Sequence, residues 1–144
     1  LLASLFVVIQ GITSAGVIDK LAEVLVDLGG SNLFLMYTII VFASVLISAF
    51  VDNIPYVLTM LPVVTGVAAS MGTDPTVLYF GLLVGATLGG NITPIGASAN
   101  ITGIGILRKN GCEVKNKDFF KIGIPFTLAA IIPAYAYIWL LYGA

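Results

Sequence analysis

One carboxylate and one amide interrupt an apolar stretch of forty residues, and they constrain the fold more than any other feature. Asp52 is the only charged residue between Leu33 and Gly72, and Asn53 follows it directly. An ionised carboxylate in hydrocarbon is so costly that it persists only with a partner or a function. Pro55 follows closely and removes a backbone donor. The pattern predicts a helix break or a hairpin tip that coordinates something.

A second polar string interrupts the apolar stretch from Val77 to Leu107. It reads Gly89-Gly-Asn-Ile-Thr-Pro-Ile-Gly-Ala-Ser-Ala-Asn-Ile-Thr-Gly103. One straight helix over the whole stretch would be ~46 Å long, half as long again as the hydrocarbon core is thick. Gly89 and Gly90 loosen the backbone, and Pro94 prevents a continuous hydrogen-bond ladder. The string therefore predicts a broken helix with half-helices at 77–88 and 97–107, and the two interruptions suggest two halves of one site.

Composition identifies the class of protein. The chain is 59% hydrophobic and 9% charged, with a mean hydropathy of +1.10, whereas soluble domains carry about 25% charged residues. The net charge of −1 gives no footprint for nucleic acid. The absence of histidine removes imidazole metal sites and histidine bases. The single cysteine, Cys112, cannot form an internal disulfide. These features predict an all-α membrane protein.

The apolar pattern divides the chain into six predicted segments. They are a spanning helix at 1–14, an interfacial amphipathic helix at 17–28, a re-entrant hairpin at 33–72, the broken helix at 77–107, a polar loop at 108–121 and a last spanning helix at 122–142. Because the first segment begins without Met inside an apolar run, we expect a fragment or one part of a larger transporter.

Two of these segments admit a second interpretation. The hairpin at 33–72 is either re-entrant, with its tip near the membrane midplane, or two full spans joined at the aqueous surface. The helix at 17–28 either lies along the membrane surface or packs on a missing domain.

The loop at 108–121 contains five of the six basic residues. The positive-inside rule therefore predicts that this loop is cytoplasmic, in a multi-pass protein of the cell membrane.

The two polar strings supply candidate ligands for an ion. A transported ion exchanges water for oxygen ligands from freed carbonyls and polar side chains, and helix ends direct their dipoles at it. Asp52 is expected to hold Na⁺ or exchange a proton, and the N–H groups at the half-helix that Gly96 opens are expected to hold an anion. The remaining candidates are Asn53, Asn91, Thr93, Ser98, Asn100 and Thr102, with Pro55, Gly89, Gly90 and Pro94 as hinges. The alternative for the glycines is close helix packing, and Ser98 or Thr102 can instead bond its own helix.

The strings Phe50-Val-Asp-Asn-Ile-Pro-Tyr-Val-Leu-Thr-Met-Leu-Pro62 and Leu88-Gly-Gly-Asn-Ile-Thr-Pro-Ile-Gly-Ala-Ser-Ala-Asn-Ile-Thr-Gly103 resemble the second repeat of the ion transporter superfamily. The most similar branch contains arsenite permeases, related sodium–proton antiporters and the P protein, and citrate transporters are more distant members. The resemblance covers essentially the whole chain.

The resemblance implies an architecture of two inverted repeats, of which this chain is the second. It implies that Asp52, Asn53 and Ile54 form the hairpin tip, although only the Asn matches the Ser-Asn-Thr of the symporters. It also implies that 93–100 forms the loop of the broken helix, with Asn53, Thr93 and Asn100 as candidate Na⁺ ligands. The expected partners are membrane lipid, a small inorganic ion or small anion, the missing first repeat and a second copy in a homodimer.

These observations favour part of a secondary transporter that is coupled to Na⁺ or H⁺, by Na⁺/H⁺ antiport or ion efflux. Coupling needs no cofactor beyond the ion. An arsenite, anion or dicarboxylate permease is the alternative. A structural membrane subunit or pore is a further alternative, and it predicts that the two polar strings do not meet. An intramembrane enzyme is disfavoured because there is no second membrane aspartate and no base for Ser98.

Overall fold

The computed structural model describes residues 14–143, together with Val7, Gln10 and Gly11, and omits the side chains of Ile18 and Asp19. The spanning helix predicted at 1–14 falls outside the described residues, apart from isolated positions. The described part is all-helical and contains no strand. Its helices are α1 (Val17–Gly29), α2 (Leu33–Ser48), α3 (Asn53–Met71), α4 (Thr76–Gly89), α5 (Ser98–Lys109) and α6 (Asn116–Tyr142).

The first predicted break separates α2 from α3. The turn occupies residues 49–52, and Asp52 is the N-cap of α3. Pro55 therefore lies within the first helical turn, slightly beyond the break. A proline is tolerated there because the first N–H groups of a helix have no intrahelical partner. Asp52, rather than Pro55, is therefore the last residue of the turn before α3 begins.

Glycines bring α4 into backbone contact with α2. Gly81, Gly85 and Gly89 recur every four residues and so lie on one face of α4. A Cβ atom on Gly85 would lie 2.5 Å from the carbonyl oxygen of Val41, and one on Gly89 would lie 2.5 Å from that of Val45. Small residues at this spacing allow membrane helices to approach closely. Packing is therefore one role of Gly89, beside its position at the helix end.

A core formed by α2, α3 and α4 supports this contact, and α6 covers one side of it. The Tyr37 hydroxyl of α2 donates a hydrogen bond of 2.9 Å to the backbone carbonyl of Tyr135 in α6. The Tyr135 hydroxyl lies 2.7 Å from that of Thr38. The fully buried large side chains include Met36, Tyr37, Ile40, Val63, Val64, Leu78, Leu82 and Ile131. The last helix is thus fixed to the first arm of the hairpin.

Helix α1 packs through a small residue and leaves apolar side chains outside. Ala22 is buried, and Gly66 of α3 lies close enough that its Cβ would be 3.5 Å from the Ala22 Cβ. Among the described side chains of α1, four apolar ones are exposed: Val17, Leu21, Val24 and Leu28. An exposed apolar stripe is suited to a membrane surface, and that location remains a prediction.

Helix α6 begins at Asn116, six residues before the predicted start of the last span. Hydropathy marks only the apolar part of a helix, whereas the first turn of α6 is polar and carries Asp118. An acidic residue there complements the helix dipole. The non-helical linker is therefore 110–115. Helices α3 (19 residues) and α6 (27 residues) are long and apolar enough to cross a membrane, and α2 and α4 are shorter apolar helices.

An exposed carboxylate orders the start of α4. Asp74 Oδ1 accepts a hydrogen bond of 2.8 Å from the Thr76 backbone N–H, and the bonds from Thr76 lower the pKa of Asp74 below its ordinary value. A depressed pKa stabilises the fold above the unfolded-state value, and the contribution is lost as pH falls through the folded-state value. We expect the protection factor of the Thr76 amide against hydrogen exchange to fall over that acidic range. In Asp74→Asn, which accepts the bond without titrating, this pH dependence should disappear.

Candidate functional site

The turn at 49–52 and the turn at 90–97 lie against each other. The Thr93 hydroxyl, 2% exposed, donates a hydrogen bond to the carbonyl of Ala49. The Thr93 hydroxyl oxygen also accepts a hydrogen bond of 3.3 Å from the Ile95 backbone N–H. The two polar strings of the sequence therefore meet, contrary to the expectation for a structural subunit or pore.

Gly96 lies where three backbone carbonyls converge. A Cβ atom on Gly96 would lie 2.7 Å from the carbonyl oxygens of both Ala49 and Gly90, and 3.0 Å from that of Ser48. No larger residue fits without moving backbone. The expectation that Gly96 opens the second half-helix is wrong, because α5 begins at Ser98 and the Gly96 N–H donates to the Thr93 carbonyl at 3.4 Å. Gly96 instead allows the two turns to approach.

The Asp52 carboxylate bridges the amino ends of two helices. Its Oδ1 accepts from the Ile54 backbone N–H of α3 at 3.4 Å. Its Oδ2 accepts from the Ser98 backbone N–H of α5 at 3.2 Å. Helix amino ends carry partial positive charge, so a carboxylate between two of them is stabilised twice. This bridge supplies the partner that a carboxylate in an apolar stretch requires.

Two asparagines bind the carbonyl groups at the end of α4. Asn100 Nδ2 donates to the carbonyls of Gly90 (2.9 Å) and Thr93 (3.1 Å), which leaves its Oδ1 available. Asn91 Nδ2 donates to the Leu88 carbonyl at 3.3 Å. The half-buried Asn53 side chain makes no hydrogen bond to the part of the chain that the structure describes. Asn53 and Asn100 thus each present a free amide oxygen.

Three predicted site residues take other roles. The Thr102 hydroxyl donates to the carbonyl of Ser98 in its own helix at 3.0 Å, which is the alternative considered for it. Ser98 contributes its backbone N–H to Asp52, and its side chain is exposed. Ile54 likewise contributes a backbone N–H, and its side chain is 55% exposed. Pro94 lies inside the turn at 90–97.

Sequence reasoning missed the residues that pack against the backbone carbonyls of α4 and of the turn after it. The buried Ser48 hydroxyl donates to the Ala86 carbonyl at 2.6 Å. Gly123 lets α6 touch the Asn91 carbonyl, and the Thr127 hydroxyl donates to the Leu88 carbonyl at 3.4 Å. A serine inside an apolar run and a glycine inside a predicted span are the available signals. Both are also common in ordinary packing.

Four helix ends meet at this place. The carboxyl ends of α2 and α4, at Ser48 and Gly89, are joined by the amino ends of α3 and α5, at Asn53 and Ser98. Carboxyl ends and free carbonyls favour a cation, and amino ends favour an anion. Among the described residues, no cluster of three His, Cys, Asp or Glu side chains occurs. The oxygen donors of the site suit a hard cation such as Na⁺ better than a transition metal.

Several known proteins are similar to this chain over nearly its whole length. The chain is 38% identical over 142 residues to an uncharacterized transporter of Mycobacterium tuberculosis, covering 97% of this chain and 33% of the relative. It is 30% identical to an uncharacterized transporter of Synechocystis, covering 96% of this chain and 35% of the relative. It is 31% identical to the human P protein, covering 94% of this chain and 17% of the relative.

The chain therefore spans about a third of the length of the first of these relatives. No solved structure matches it. A family described as citrate transporter matches residues 1–144. Together with the apolar helices, this match indicates a membrane protein of a transporter family, as the resemblance to the ion transporter superfamily implied. The chain belongs to the citrate transporter family.

Proposed function

We propose that this chain forms part of a secondary active transporter coupled to Na⁺ or H⁺, by Na⁺/H⁺ antiport or ion efflux through alternating access. The observation that carries the proposal is the meeting of two polar turns and four helix ends at one place. Irregular backbone at membrane depth is tolerated where it is buried or lines a wet cavity. Broken helices that direct their ends at one point are the arrangement by which transporters bind ions.

The cation is proposed to lie among oxygens at the carboxyl ends of α2 and α4. The free amide oxygens of Asn53 and Asn100 are available, and the carbonyls of Ser48 and Ala49 face the same turn. The Thr93 hydroxyl already donates to Ala49 and accepts from Ile95. Thr93 therefore contributes as a ligand only if one of these bonds opens. Asp52 supplies the negative charge that balances the cation.

An anionic solute is the second candidate, and the family description, which names citrate, favours it. The amino ends of α3 and α5 are the natural anion sites, but both donate to the Asp52 carboxylate. An anion there would meet a like charge. We therefore assign the cation to this site, and an arsenite, citrate or dicarboxylate solute would bind with help from outside this chain.

The remaining parts of the transporter are also proposals. No described residue of α5 is buried, so another segment would have to pack on this helix. The first inverted repeat fits that need, and a homodimer would cover further apolar surface. The re-entrant form of the hairpin, the cell membrane location and the cytoplasmic side of the basic loop belong to the same proposal.

Thiol labelling tests the cation site. In a Cys112→Ser background, which removes the exposed cysteine, we expect Asn53→Cys to react slowly with an aqueous maleimide and to be protected further by Na⁺. Ser31→Cys, in the exposed turn between α1 and α2, is the matched control and should react fast in any salt. Fast labelling of Asn53→Cys that ignores Na⁺ and pH would mean a surface turn and would remove the main support for the proposal.

A further inference from the structure

A cavity of about 530 Å³ lies between α5 and the first half of α6, beside the candidate ion site. Its wall is mainly apolar. It is lined by Gly103 and by the apolar side chains of Ile104, Leu107, Phe119, Ile122 and Phe126. Asn91 and Asn100 line it too. A wall of this kind does not replace the hydration shell of an ion, because it offers few oxygens. The cavity therefore suits an apolar occupant.

The most basic part of the sequence directly adjoins residues that line the cavity. Leu107 and Val114, which line the cavity, are followed directly by Arg108 and Lys115. Lys109, Lys117 and Lys121 lie in the same region, and all five basic side chains are exposed. The acidic residues there are Glu113 and Asp118, and Asp118 lines the cavity between Lys117 and Lys121. Basic groups outnumber acidic ones, so the region attracts an anion.

We propose that this cavity binds an anionic phospholipid of the bilayer, with one acyl chain between α5 and α6 and the phosphate beside Arg108 and Lys115. Each part of the lipid meets its chemical complement. Burying methylene groups against Ile104, Phe119 and Phe126 is favourable at about 0.8 kcal/mol per group. Basic groups next to membrane helices attract anionic headgroups. The lipid would cover the face of α5 that lines the cavity, and the proposed first repeat would cover the other exposed faces of this helix.

Two glycines of α5 provide a matched test of the acyl-chain position. A Cβ atom on either Gly103 or Gly105 would meet nothing within 4 Å, but only Gly103 lines the cavity. The full-length protein is reconstituted in vesicles of equal parts phosphatidylcholine and phosphatidylglycerol. The relative association of spin-labelled phosphatidylglycerol over phosphatidylcholine is then measured. We expect Gly103→Phe to abolish the preference for phosphatidylglycerol and Gly105→Phe to retain it.

A second pair of variants tests the headgroup. Lys115→Gln should lower the preference about fivefold, the effect of one cationic group at a membrane surface. Lys20→Gln removes the one basic residue outside this region and should leave the preference unchanged. This pair does not depend on how well the phenylalanine variants fold.

Three results would overturn the proposal. The first is equal association of both lipids with the unaltered protein, which would mean that a protein segment fills the cavity. The second is an equal effect of Gly103→Phe and Gly105→Phe on the preference for phosphatidylglycerol. That result would mean that basic charge attracts the lipid and that the cavity does not bind its acyl chain. The third is an equal effect of Lys115→Gln and Lys20→Gln. None of these results bears on the proposed ion site, because the lipid measurement does not use transport.

Discussion

Replacing Asp52 with asparagine is expected to abolish ion-coupled transport while leaving the protein folded. The carboxylate uses one oxygen for the Ile54 N–H and the other for the Ser98 N–H. Asparagine has one acceptor oxygen, so it can bond only one of these donors, and its NH₂ group would face the other. Losing a hydrogen bond to a charged group costs about 1.5–3 kcal/mol, which is about tenfold or more in a rate that depends on it.

The expected loss of coupled transport also has an electrostatic cause, because Asp52→Asn removes the negative charge that balances the proposed cation. Stability should fall by no more than about 3 kcal/mol, since Asn is as good an N-cap as Asp and only one hydrogen bond is lost. Uptake driven by Na⁺ and pH gradients into vesicles containing the purified full-length protein measures the first effect, and thermal unfolding in detergent measures the second. If uptake remains at the unaltered level, Asp52 has no part in coupling.

Asp74→Asn is the matched control for this experiment. Asp74 is also an aspartate before a helix, and it accepts a backbone N–H in the same way. It is exposed, and its backbone partner lies at the start of α4 alone. We expect uptake at the unaltered level. Equal losses in both variants would mean that helix capping, rather than the bridge to α5, explains the effect of Asp52→Asn.

The sequence predicts the helix breaks well because their causes are local. The sequence predicts half-helices at 77–88 and 97–107. The observed helices, α4 at Thr76–Gly89 and α5 at Ser98–Lys109, begin and end within about two residues of these bounds. Paired glycines and a proline prevent a continuous ladder whatever surrounds them. The charge of Asp52 in an apolar run indicates the hairpin turn equally directly. Each of these signals acts within a few residues of the place it marks.

The roles of the site residues were harder to predict because they depend on distant partners. Asp52 bonds a backbone N–H that lies 46 residues away, and a backbone donor carries no sequence signature. The sequence favours a helix start at Gly96, and only the packed turns identify the close approach that this glycine allows. The early start of α6 was missed for a different reason, since hydropathy does not detect a polar first turn.

Replacing Gly89 with alanine is expected to destabilise the protein strongly and to displace the hairpin tip. The added Cβ atom would lie 2.5 Å from the carbonyl oxygen of Val45 and 2.7 Å from its Cα atom. Both are backbone atoms, so no side-chain rotation relieves the overlap, and α2 must shift. Overpacking of this kind costs about 1–3 kcal/mol, and we expect the upper part of that range. Unfolding in mixed micelles with increasing dodecyl sulfate measures the change.

The Val45 contact lies one helical turn before the turn at 49–52, so the shift should reach the site. The carbonyls of Ser48 and Ala49 would move away from Gly96, and coupled uptake should fall together with stability. Gly105→Ala is the control, because its Cβ meets nothing within 4 Å and alanine is the better helix former by about 1 kcal/mol. That variant should be as stable as the unaltered protein or more so. If Gly89→Ala were equally well tolerated, the contact between α2 and α4 would be looser than the backbone distances require, and the support for the two turns would have to come from α6.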